Sequence, residues 1–124
     1  MQQINKICMK IGKVVKILVS LVKDDFEDRC VYLSDQDGDY YAISDVVKME
    51  GSPWLVAVDP TESTLLVKGL LLLLVGCGCP NEEDLYVFGR IGGVDGKDIG
   101  FIIVGVHAEG ENVVFDIVYD PDSL

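Results

Sequence analysis

Leu65-Leu66-Val67-Lys68-Gly69-Leu70-Leu71-Leu72-Leu73-Leu74-Val75 is the stretch on which the fold turns. It is almost wholly apolar, yet too short to cross a bilayer as a helix, which takes roughly 20 residues. Side chains alternate along a strand. Read that way, one face carries Leu65, Val67, Gly69, Leu71, Leu73 and Val75, and the other Leu66, Lys68, Leu70, Leu72 and Leu74. Both faces are oily, so a strand here needs cover on both sides. The expectation is a central strand, covered on one side by the chain's own core and on the other by a neighbouring element or a partner.

The segments around it read as strands too. Gly12 to Lys23 places Val15, Ile17, Val19 and Leu21 on one face, with β-branched enrichment. The lysines before Val14 give the N-terminus a superficial likeness to a signal peptide. Lys16 breaks the oily run and no small-residue cleavage site follows, so a strand is the preferred reading. A second strand spans Arg29 to Ser34 and a third Tyr40 to Ser44. Between them, Asp35-Gln36-Asp37-Gly38-Asp39 holds the Asp-Gly pair of a tight hairpin. Ser44 or Asp45 could cap a helical turn over Val46 to Glu50. Trp54 to Val58, Leu85 to Ile91, Ile99 to Val106 and Val113 to Tyr119 complete the strands, and no internal repeat or second domain is visible. Seven or eight short strands with glycine at their ends predict a single all-β domain over 1–124. The expected form is a small closed or partly open β-barrel, OB-like, with at most one short helix.

Composition narrows the function. The chain has 124 residues, enough for one core, and 49% of them are hydrophobic. A net charge of −11 repels phosphate backbones and disfavours a lone nucleic-acid binder, while suiting a basic partner. Cys8, Cys30, Cys77 and Cys79 do not space like a disulfide framework, so the reading is a reduced, intracellular protein: cytoplasmic, or nuclear in a eukaryote.

Chemistry-bearing motifs are weak. Asp35, Asp37 and Asp39 alternate like the start of a calcium loop, but the sixth position is Tyr40 and the twelfth Val46, not glycine and glutamate. Cys77-Gly78-Cys79 has one intervening residue where zinc pairs take two to four. His107 has no nucleophile beside it in sequence. Gly89-Arg90-Ile91-Gly92-Gly93 lacks the Lys-Ser/Thr of a phosphate loop. The expectation is no enzyme, no metal and no cofactor. Tyr32, Tyr41 and Tyr86 are candidates for base stacking.

Three stretches carry a family resemblance. They are Asp25-Phe26-Glu27-Asp28-Arg29 with the Ile43-Ser44-Asp45-Val46 segment, Ala57-Val58-Asp59-Pro60-Thr61-Glu62, and Leu85-Tyr86-Val87-Phe88-Gly89-Arg90-Ile91. In order and spacing they resemble OB-fold accessory subunits, above all the eighth-subunit family of archaeal and eukaryotic RNA polymerases. Val31 to Gly38 also looks like the small subunit of replication protein A. The resemblance implies a non-catalytic subunit of a nucleic-acid-processing complex, held by protein contacts and touching nucleic acid only indirectly. The expected interface is Leu66, Leu70, Leu72, Leu74, Phe101 and Ile103, with no membrane partner and self-association left open. Alternatives are an acidic inhibitor that mimics DNA and a single-stranded DNA-binding subunit.

Overall fold

The computed structural model describes residues 8–49, 51–61, 65–89 and 99–119. Two of the expected strands are helices. Helix α1 spans Ile11–Lys23 and buries Ile11, Val14 and Leu18. Helix α2 spans Val67–Gly76 and buries Val67, Leu70 and Leu74. Both burial patterns are i, i+3, i+7, the stripe a helix presents to a core. The leucine-rich stretch is therefore extended only at Leu65–Leu66, the short strand β4. Two helices also replace the expected maximum of one. An apolar run of this length satisfies both periods, and packing against a core overrides β propensity.

The remaining elements are strands: β1 (Cys30–Ser34), β2 (Tyr40–Met49), β3 (Ser52–Val58), β5 (Tyr86–Gly89), β6 (Ile99–Glu109) and β7 (Asn112–Tyr119). The helical turn expected at Val46 to Glu50 is strand through Met49, and Glu50 lies outside the described residues. Asp45 receives the backbone N–H of Val46 within a bulge, so no helix starts there. The Leu85 to Ile91 strand ends at Gly89, with Arg90 and the following loop outside the described residues. The fold is mostly β, with one mixed sheet of seven strands.

Strand pairing runs β2-β3-β5-β6-β7-β1, and β1 pairs back to β2, so the hydrogen bonds form a ring. β4 joins β1 at Cys30 and Val31. The helices pack on each other, and their buried residues share one cluster with Leu33, Ile43, Leu55, Val87, Ile103 and Phe115 of the strands. Where β3 and β5 run side by side, the backbones come so close that a Cβ on Gly89 would collide with the Ala57 carbonyl oxygen.

The ring also contains a repeat that the sequence hides. Each half runs helix, strand, strand, strand. Lys10 and Leu66, each in extended backbone, precede α1 and α2. Lys10 bridges Asp84, and Leu66 pairs with Cys30. The β2 register breaks between Ile43 and Asp45, and the β6 register between Ile103 and Gly105. Trp54 lies parallel to Tyr86 as Val114 lies parallel to Tyr32. The hairpin turns contain Gly51 and Gly110, both at positive φ. The halves share geometry more than residues.

Candidate functional site

The outer face of α1 is where charge departs most from the average. Five of the ten cations and none of the 21 acidic residues lie in the first 23 residues. Helical spacing puts Lys13, Lys16 and Lys23 opposite the stripe of Ile11, Val14 and Leu18, and all three are exposed. Among the described residues none of the three has a carboxylate partner. Lys10 is paired at 2.7 Å with Asp84, which holds its pKa above the ordinary lysine value. Lys10, Lys13 and Lys16 line an open groove of about 600 Å³ with Gly12, Val15 and Asn81. Cations near a helix N-terminus oppose its dipole. Lys13 stands in the first turn, where no acidic residue lies, and no side chain caps the helix. The dipole favours Lys23, in the last turn, but opposes Lys13 in the first, so helix stability does not account for the whole set, and these lysines form the leading candidate surface. It can attract anions.

A second concavity, of about 450 Å³, opens beside the β1–β2 hairpin. Asp35, Gln36, Asp37 and Asp39 form its polar wall, and Tyr41, Phe101 and Tyr119 its aromatic one. The Asp35 carboxylate accepts the backbone N–H groups of Asp37 (2.9 Å) and Asp39 (3.0 Å) and the Tyr41 hydroxyl (3.0 Å). These bonds are those of a hairpin turn. Burial, then the Asp35 bond, raises the Tyr41 pKa above its ordinary value, so the phenol stays a proton donor.

His107, on the outside of β6, lies between two carboxylates. Its Nδ1 is 3.1 Å from Asp116 and its Nε2 3.4 Å from Glu109. The hydrogen bond to Asp116, then that to Glu109, raises the imidazole pKa above its usual value. Tyr40 donates its hydroxyl to Glu109, which raises the Tyr40 pKa and lowers that of Glu109. Among the described residues no serine or cysteine hydrogen-bonds to His107, and the cluster lies in the open.

The sequence-predicted residues scatter. Leu70, Leu74, Phe101 and Ile103 are buried in the core, Leu66 is half-buried on β4, and Leu72 alone of the six is fully outside, 73% exposed. The strand reading put Leu70, Leu72 and Leu74 on one face; the helical turn sends Leu72 to the opposite side. Tyr32 and Tyr86 are half-buried on the outside of the ring, while Tyr41 belongs to the hairpin cavity. Tyr86 lies 4.8 Å from Trp54, ring centre to ring centre. The four cysteines are free thiols. Cys77 donates to the Leu74 carbonyl at 3.0 Å, and burial, then Cys77, raises the Cys79 pKa. Among the described residues no group of three His, Cys, Asp or Glu side chains could hold a metal ion, and no helix is long and apolar enough to cross a membrane. The lysine face was missed, although Lys10, Lys13 and Lys16 at steps of three are a helical signal that a strand would split between faces.

No protein-family model, curated protein or solved structure matches the chain.

Proposed function

We propose that the chain is a non-catalytic accessory subunit of a nucleic-acid-processing complex, and that the lysine face of α1 meets the phosphate backbone. The observation that carries this is the segregation of charge: exposed Lys13, Lys16 and Lys23 on one helix of a chain with net charge −11. An acidic body repels phosphate and a basic strip attracts it, so the protein approaches a polyanion in one orientation. Two or three phosphate contacts bind weakly alone, with a salt slope of about −0.9 per contact. They gain strength when partners or further copies hold several such helices together.

The narrower identity, a peripheral RNA polymerase subunit, rests on the sequence resemblance. The OB pattern is a five-stranded barrel; among the described residues the ring has six strands, with two helices outside its hydrogen-bonding, so charge supports the broader statement better than topology supports the narrower one. The test is fluorescence anisotropy with a short labelled DNA duplex at low and at physiological salt. The expected result is weak, salt-sensitive binding that the double change Lys13→Glu, Lys16→Glu abolishes and Lys48→Glu does not. Absence of binding at low salt, or indifference to the double change, overturns the proposal. If the chain instead displaces DNA from a basic DNA-binding protein without touching DNA itself, the acidic mimic is the better account.

A further inference from the structure

The two halves of the ring give two equivalent outer faces, and they are differently furnished. On one, Val47, Trp54, Tyr86, Ile102 and Val118 stand in a single register row across five strands. The next row brings Val56 and Phe88 together. The corresponding row of the other half is His107, Val114, Tyr32, Ala42 and Val58, and beside it Asp116 and Ser34 replace Val56 and Phe88. The same backbone therefore accepts polar residues at these places. A tyrosine stands in both rows, as Tyr86 and Tyr32, but Trp54 and Phe88 belong to one side only.

Ile102 in this row is buried, but the aromatic residues beside it keep part of their surface outside. Trp54 packs on Tyr86 at 4.8 Å and edge-on to Phe88 at 5.7 Å. All three residues are half-buried, and Met49 on the same face is 38% exposed. The margins are acidic. Asp45 is exposed and opposite Val56, and Glu83 accepts the Ser52 hydroxyl at 2.8 Å at the other end. Asp84 beside it is offset by Lys10.

We propose that the Trp54–Tyr86–Phe88 face docks a protein partner through an apolar segment flanked by lysine or arginine. Charge selects this occupant. A second copy would bring acidic margin against acidic margin in a chain of net charge −11. A single nucleic-acid strand could stack on the rings, but its phosphates would meet Asp45 and Glu83. Aromatic residues and a central apolar patch are the features that anchor protein interfaces. This inference stands apart from the lysine face of α1, and neither depends on the other.

Trp54 is the sole tryptophan, so its emission reports on this face alone. The full chain is titrated with a short peptide of alternating leucine and lysine, with a leucine–glutamate peptide, and with oligo-deoxythymidine. The expected result is a saturable change in Trp54 emission with the leucine–lysine peptide only. Phe88→Lys should weaken it at least about tenfold, and Ser34→Lys, the equivalent place in the other half, should leave it unchanged. Circular dichroism checks that the variants fold; should Phe88→Lys fail to, Met49→Lys on the exposed edge carries the same expectation. The proposal is overturned if the acidic peptide or the oligonucleotide gives the same change, if Ser34→Lys weakens binding as much, or if the emission change follows self-association.

Discussion

Helices α1 and α2 hold equivalent places in the two halves, bury residues at the same spacing, and present opposite surfaces. Outside, α1 shows Lys13, Lys16 and Lys23, while α2 shows Lys68, Leu72 and Val75, the last two 73% and 63% exposed. The shared inner pattern belongs to the fold, and the differing outer patterns are free to serve binding. The difference teaches where to look: a residue that both halves keep apolar inside holds the ring together, and one that only a single half carries outside is a candidate for function.

The sharpest way to break that comparison is through the inner stripe. Leu70→Ala in α2 and Leu18→Ala in α1 should each cost about 2–5 kcal/mol, because both side chains are fully buried. Leu72→Ala should stay within about 0.5 kcal/mol. Urea denaturation measures all three. If Leu72→Ala costs as much as Leu70→Ala, the helical assignment of α2 fails, since a strand would put both on one face. Next in size is Gly89→Ala. The new methyl would press on the Ala57 carbonyl oxygen, a backbone atom that cannot swing aside, and should destabilise by about 1–3 kcal/mol. A neutral result would mean that β3 and β5 sit further apart than described.

How much of this was legible in the sequence follows from the range of each signal. The β1–β2 hairpin was readable because Asp37-Gly38 fixes a turn locally, and Gly38 has φ +86 as the hairpin requires. The last strand was readable because its oily run is flanked by turn residues. The helices were not, since Val14, Leu18, Val67, Leu70 and Leu74 choose between periods only through what they pack against. The lysines of α1 held the deciding clue, in their steps of three. The internal repeat left little trace: Gly51 answers to Gly110 and Tyr86 to Tyr32, but Trp54 answers to Val114 and Phe88 to Ser34, so the halves agree in register while most side chains differ.

The outer pattern of α1 can be sharpened by a change with two opposed effects. Lys13→Glu replaces a cation near the positive end of the helix dipole with an anion. It should stabilise the protein by about 0.3–1 kcal/mol while weakening any association with duplex DNA. Denaturation midpoints and anisotropy, measured on one preparation, separate the two. Loss of stability together with loss of binding would mean that Lys13 serves the helix, and the contrast with α2 would then carry no functional message.

The smallest expected effect lies on the ring rather than the helices. His107 stands in the second half where Val47 stands in the first, and it has two carboxylates for neighbours. Asp116 above all, then Glu109, favours the imidazolium, so His107 should titrate above the ordinary value of 6.5 in the folded chain. A group whose pKa rises on folding stabilises the folded state fully below its unfolded pKa and loses that contribution as pH climbs through the folded one. The gain is therefore present in mild acid, gone in mild alkali, and small, because the ion pair lies in solvent. Proton NMR of the single histidine measures the titration directly. Asp116→Asn should bring the midpoint back toward the ordinary value and flatten the pH dependence of stability between the two pKa values. A midpoint at or below 6.5 in the unaltered chain would mean that the carboxylates do not hold the ring in solution, and the polar face of the second half would then be no more than a place where the fold tolerates charge.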